Sequence, residues 1–206
     1  MLKPFNISVM ISGGGTTLKN LIDRYDCGQL NAQITQVISN KPDAGGLQYA
    51  SDAGIDSHVV DHRDYDGVES FSKAIFDAVR LAGADLVVMG GFLRRVAIPE
   101  DFVNRVINIH PSLIPAFCGK GNYGRRVHRA VVDYGCRVSG CTVHFVDDHY
   151  DHGPIIAQST VEVTPNDSAE SLAGRVFEAE CELYPRVINA IAAGKVRVSG
   201  RHVDWT

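Results

Sequence analysis

Apolar residues in this chain fall into short continuous runs separated by stretches of helical spacing. Residues 7–11, 34–39 and 57–60 read as strands, with helices expected over 18–25 and around 46–53. Over 68–81, Phe71, Ile75, Phe76 and Val79 recur at the spacing of one helix face. Residues 86–89 are an unbroken apolar run, as expected of a strand buried on both faces, and 106–109 read as another such strand. After residue 111 the pattern changes. A glycine-rich loop spans 116–126 and a short helix is expected near 128–132. Residues 141–146 and 155–163 read as long antiparallel strands, and 168–191 as a long helix capped by Asp167 or Ser168. The tail, 196–198 and 202–203, suggests a hairpin around Ser199-Gly200. This alternation predicts one α/β domain over 1–206, built on a mainly parallel, Rossmann-like sheet flanked by helices, with an antiparallel C-terminal part.

The chain has 206 residues, 45% of them hydrophobic and 21% charged, values ordinary for a globular protein with a full core. A net charge of -4 without any basic block argues against a nucleic-acid partner. No apolar run is long enough to span a membrane, and the N-terminus lacks a charged-then-apolar signal pattern. Cys27, Cys118, Cys136, Cys141 and Cys181 are odd in number and scattered, which argues for free thiols in a reducing, cytoplasmic setting.

Three features carry candidate chemistry. Ser12-Gly13-Gly14-Gly15-Thr16-Thr17 joins the first strand to the first helix. Its glycines let the backbone approach a ligand, and the helix start offers free N–H groups to an anion. A dinucleotide fingerprint is excluded by Leu18 where glycine is needed and by Ser39-Asn40 ending the second strand, and a P-loop by the absence of Gly-Lys-Ser/Thr. A single terminal phosphate fits, as does a tight turn with no ligand. The second feature is Asn108-Ile109-His110-Pro111, where two strand positions put an amide and an imidazole on one side. The third is Asp147-Asp148-His149-Tyr150-Asp151-His152. Asn108 and a protonated His110 could donate to an oxyanion, while Asp151 could supply the counter-charge and relay protons through a water. Ser112 lacks the surroundings of a nucleophile. His144, between Val143 and Phe145, reads as structural or as a support to a catalytic residue rather than as catalytic itself. His149 and His152 among aspartates raise a metal site, but their spacing is irregular and no metal is expected. In open α/β sheets ligands bind at the carboxyl ends of strands, so the glycine loop and the Asn108–His110 pair are expected to face one cleft.

On these residues the chain resembles the phosphoribosylglycinamide formyltransferases, folate-dependent members of the formyltransferase family. The likeness runs through residues 11–18, Ser39-Asn40-Lys41, Gly91-Phe92-Leu93-Arg94, residues 108–115, 140–146 and 151–156, and Glu180 ahead of Tyr184-Pro185. The resemblance implies a formyltransferase-type fold, with a nucleotide-phosphate part to about residue 105 and a folate and catalytic part from about 106. It implies transfer of a formyl group from 10-formyltetrahydrofolate to glycinamide ribonucleotide, both small molecules, without a metal, and it leaves a homodimer open. Carried over by position, Asn108, His110 and Asp151 would be catalytic, and Gly13, Gly14, Gly15, Thr16 and Thr17 would hold the phosphate. Glu180 would contact the glycinamide part. Arg94, Arg95, Val96, Asp147, Asp148 and Tyr150 would line the folate site, and His128 matches a histidine of the family. The loop 117–126 is longer and more basic than usual; Lys120, Arg125 and Arg126 would face an acidic folate tail or only solvent. A deformylase of the same scaffold usually carries an extra N-terminal domain and lacks the glycine loop. A methionyl-tRNA formyltransferase usually adds an RNA-binding domain. A non-catalytic sugar-phosphate module would not need Asn108, His110 and Asp151.

Overall fold

The computed structural model describes residues 4–205; residues 1–3 and Thr206, the ends of the expected domain, lie outside the described residues. The elements run β1 (Asn6–Ile11), α1 (Thr16–Asp26), β2 (Gln33–Ser39), α2 (Gly46–Asp52), β3 (Ser57–Val59), α3 (Val68–Leu81), β4 (Leu86–Met89) and β5 (Val106–His110). There follow α4 (Arg125–Tyr134), β6 (Val138–Phe145), β7 (Ile155–Glu162), α5 (Ala169–Ala192), β8 (Val196–Ser199) and β9 (His202–Trp205). One seven-stranded sheet has the order β3-β2-β1-β4-β5-β6-β7, and β8 and β9 form a separate pair. The chain divides into two compact units, Met1–Ile107 and Asn108–Thr206, with the boundary inside β5.

In the first unit β1 pairs in parallel with β2 on one side and β4 on the other, and β2 pairs in parallel with β3. The strand order reverses between β1 and β4, and at such a switch point the loops after the two strands part to leave a crevice. Those loops are Ser12–Gly15 and the segment from Gly90. β1 and β4 are buried along almost their whole length, which for β4 explains its unbroken apolar run. Helix α3 buries Phe71, Ile75, Phe76 and Val79, the face marked out by their spacing. Phe76 packs on Phe102 with ring centroids 4.9 Å apart, and Phe102 is topped by the Arg105 guanidinium at 4.6 Å. Each such fully buried side chain contributes about 1.5–3 kcal/mol.

In the second unit β6 and β7 are antiparallel. β6 begins at Val138, ahead of the expected Cys141, and α4 takes in Arg125 and Arg126 from the end of the expected loop. Gly140 lies within β6 at φ 155, where an added Cβ would run into the Ser159 carbonyl of β7. Helix α5 starts at a capping box: Ser168 accepts from Ser171 N–H, and the Ser171 hydroxyl accepts from Ser168 N–H. The tail hairpin β8–β9 lies against β7, the last strand in the sheet order. Trp205 Nε1–H donates to the Ile156 carbonyl at 3.0 Å, and Arg201 donates to the His152 carbonyl at 2.8 Å.

Candidate active site

Strand β5 ends on the polar pair. Asn108 is half-buried and His110 only 3% exposed. From β6, His144 brings a ring that is 1% exposed to within 3.3 Å of the Asn108 side-chain nitrogen. Its Nδ1 lies 2.7 Å from the Phe145 carbonyl. A carbonyl only accepts, so Nδ1 carries the hydrogen and Nε2 accepts from Asn108 Nδ2–H. Burial pushes the His144 pKa down, against the opposing pull of the Phe145 carbonyl and Asp151, so the ring stays neutral. One amide hydrogen of Asn108 is thereby engaged and the other is left to a ligand. His144 was expected to be structural or a support to a catalytic residue; its partner, Asn108, lies 36 residues away in sequence, which strand alternation alone does not signal.

Asp151 lies between two imidazoles. Its Oδ2 is 3.5 Å from His110 Nδ1, and its Oδ1 is 3.8 Å from His144 Nε2. Oδ2 also accepts the Gly119 N–H at 2.9 Å. His110 Nε2–H donates to the Phe117 carbonyl at 3.0 Å, so only its Nδ1, on the Asp151 side, can serve a reacting group. Asp151 and Phe117 both have φ 52, a region costly for a side chain as large as phenylalanine. The strained turn at Phe117 aims its carbonyl at His110, and that at Asp151 aims its carboxylate inward; such outliers gather at functional sites. His128 in α4 is buried, with Nδ1 lacking a hydrogen-bond partner among the described residues, and burial and nearby His110 hold its pKa down.

The glycine loop is built in the first unit. Gly15 is at φ 72, and a Cβ there would strike Gly46 of α2, so glycine is demanded by packing. Gly13 and Gly14 are different: an added Cβ would meet nothing within 4 Å. Helix α1 starts without a side-chain cap, leaving its first N–H groups to an outside acceptor. The buried Ser12 hydroxyl donates to Asn40 Oδ1 at 2.6 Å and accepts Leu93 N–H at 2.8 Å, tying the loops after β1, β2 and β4 together. Asn40 Nδ2 is buried without a hydrogen-bond partner among the described residues. Thr16 is exposed and Thr17 half-buried.

Of the residues expected at a folate, Arg94 and Arg95 are exposed, but Val96 is 3% exposed and offers a ligand only its backbone. Asp148 and Tyr150 are exposed. Asp147 is half-buried and accepts His149 N–H at 2.9 Å, with His152 Nδ1 at 2.7 Å. In the basic segment Arg125 pairs with Glu170 at 2.9 Å and Arg126 sits 5.1 Å over the Tyr123 ring, so two of its three cations already have internal partners.

Glu180, on α5, is half-buried with no hydrogen bond or ion pair among the described residues, and burial pushes its carboxyl up to about 7. Burial, then the Glu180 charge, also pushes the Cys141 thiol up to about 12. A carboxyl raised in the fold favours the folded state when protonated, so its contribution is full below about 4.5 and is lost as pH rises to about 7. Glu180→Gln should therefore gain stability over the wild type between pH 5 and pH 8. The shift sets a ceiling of about 3 kcal/mol, lower to the extent that water reaches the carboxyl. Thermal melts across that window check this, and a difference that does not change with pH would refute it.

The formyl transferase family model matches residues 5–188. The chain is 38% identical over 194 residues to the chloroplastic phosphoribosylglycinamide formyltransferase of Arabidopsis thaliana, covering 93% of this chain but 66% of that protein, just under two thirds. To the Escherichia coli K12 phosphoribosylglycinamide formyltransferase it is 35% identical over 195 residues, 94% of this chain and 90% of that one. Among solved structures, glycinamide ribonucleotide transformylase 1 from Symbiobacterium toebii superposes with a TM-score of 0.91 at 38% identity, over 98% of this chain and 93% of that one.

Proposed function

The chain belongs to the formyl transferase family, and on that premise we propose that it moves a formyl group from 10-formyltetrahydrofolate to the amine of glycinamide ribonucleotide, a step of purine biosynthesis. The observation that carries this reading is Asp151 lying within 3.5 Å of His110 and 3.8 Å of His144, with His144 orienting Asn108. The attacking amine bonds to the formyl carbon, and the carbonyl oxygen becomes an oxyanion. The unengaged Asn108 N–H, with His110 Nδ1–H, donates to that oxygen. Asp151 takes the proton released by the amine through a water, and a proton is returned to the departing folate nitrogen. No covalent enzyme intermediate is required.

The rest of the reading divides by unit. In the first, Gly13 to Thr17 hold the ribonucleotide phosphate, and Arg94, Arg95 and the Val96 backbone contact the folate. In the second, Asp147, Asp148 and Tyr150 grip the folate. Glu180, with no hydrogen bond or ion pair among the described residues, meets the glycinamide portion. Among the described residues no helix is long and apolar enough to cross a membrane.

The test is to incubate the protein with 10-formyltetrahydrofolate with and without glycinamide ribonucleotide. Tetrahydrofolate should form only with the acceptor; equal formation without it would make the protein a hydrolase, and none in either case would overturn the reading. A second arm uses Gly14→Val, where an added Cβ meets nothing within 4 Å and no positive φ opposes a side chain. It should raise the KM for the ribonucleotide at least ~10-fold, the cost of about one hydrogen bond to a charged group. The KM for the formyl donor should stay put, and equal rises in both would sink the phosphate assignment.

A further inference from the structure

The loop between β6 and β7 brings two histidines, which formyl transfer does not use, beside Asp147, which the proposed function places at the folate. Asp147 Oδ2 lies 2.7 Å from His152 Nδ1, and Asp147 Oδ1 lies 4.0 Å from His149 Nδ1. Ligand atoms of all three residues fall within 4.8 Å of one another. In the sequence their spacing looks irregular. The chain reverses at Asp151, where φ is 52, and that turn folds His152 back beside Asp147.

We infer that Asp147, His149 and His152 form a binding site for a late first-row divalent metal ion of the zinc class. Two imidazoles and one carboxylate are the donor types such ions select, whereas magnesium and calcium take mostly oxygen. The two imidazole side chains are 77% and 56% exposed, so an ion reaches them without opening the fold and keeps its remaining coordination positions for water. Asp147 is already positioned: its Oδ1 accepts the His149 N–H at 2.9 Å. On binding, the ion replaces the hydrogen between His152 Nδ1 and Asp147 Oδ2, and Nε2 carries the ring hydrogen instead. Arg201 Nη1, now 3.4 Å from Nε2, turns aside, while its Nη2 keeps the His152 carbonyl at 2.8 Å. The ion would fasten Asp147 to His152 across Asp151. The site stands whether or not formyl transfer is the activity.

Zinc sulfate titrated calorimetrically into the metal-stripped full chain tests this, with His149→Ala, His152→Ala and Cys27→Ser alongside. Cys27 is an exposed thiol and the main competing ligand. The expected result is one saturable site per chain, at least ~10-fold weaker in either histidine variant and unchanged in Cys27→Ser. With cobalt chloride, visible d–d absorption should appear in the wild type and fade in both histidine variants. Hydrogen exchange over residues 147–152 should slow when zinc is added. Melts without metal confirm that the surface variants fold. The inference is overturned if the wild type shows no saturable binding, if both histidine variants bind as it does, or if Cys27→Ser abolishes the site.

Discussion

Asp151→Asn should lower kcat at least ~100-fold, the low end for loss of a general acid–base group, with the KM for the formyl donor changing far less. The substitution is conservative in shape. Asn tolerates the positive φ that Asp151 adopts, and its carbonyl oxygen can still accept the Gly119 N–H that Asp151 Oδ2 now accepts at 2.9 Å. The loop should therefore keep its form. What disappears is the negative charge 3.5 Å from His110 Nδ1 and a group able to take a proton from the amine. Steady-state and single-turnover rates with both substrates check this, alongside a melt. A folded variant with near-normal turnover would remove Asp151 from the proton path.

Asn108→Ala should cost kcat ~100- to 1000-fold, the scale set by loss of one oxyanion donor. The remaining amide hydrogen is useful only if the side chain is held, and His144 Nε2 holds it at 3.3 Å. His144→Phe keeps a ring on the strand but removes that acceptor, and should cost ~10-fold, about one ordinary hydrogen bond. The two losses should not add, because His144 acts through Asn108. A double variant no slower than Asn108→Ala is the expected result. Fully additive losses would mean that His144 serves the reaction by some other route.

How much of this was legible in the sequence depends on the range of the interaction involved. Helix α3 and strand β4 occupy the expected residues, 68–81 and 86–89, because their burial follows from local spacing. The cap of α5 was legible to within one residue, as Asp167 or Ser168, since capping is written within four residues, and the structure assigns it to Ser168. Strand β6 was read short. Its first residue, Val138, is exposed, and Gly140 resembles a breaker, although glycine is required there by the approach of Ser159. The candidate residues Asn108, His110 and Asp151 stood out by type and spacing, and the structure brings them together. The partners that orient them did not stand out. The Phe117 carbonyl is a backbone group, which side-chain identity does not signal. His144 finds Asn108 only through strand pairing. The Asp147–His149–His152 grouping depends on one residue at positive φ, and no spacing rule encodes that turn.

The hairpin at the tail has a consequence for keeping the protein in solution. β7 is the final strand of the sheet, and such a strand offers unpaired backbone groups to any passing chain. Trp205 and Arg201 reach back to the Ile156 and His152 carbonyls, so residues 196–205 act as a cover over that margin. A chain cut short after α5 would leave an open template for strand-to-strand aggregation.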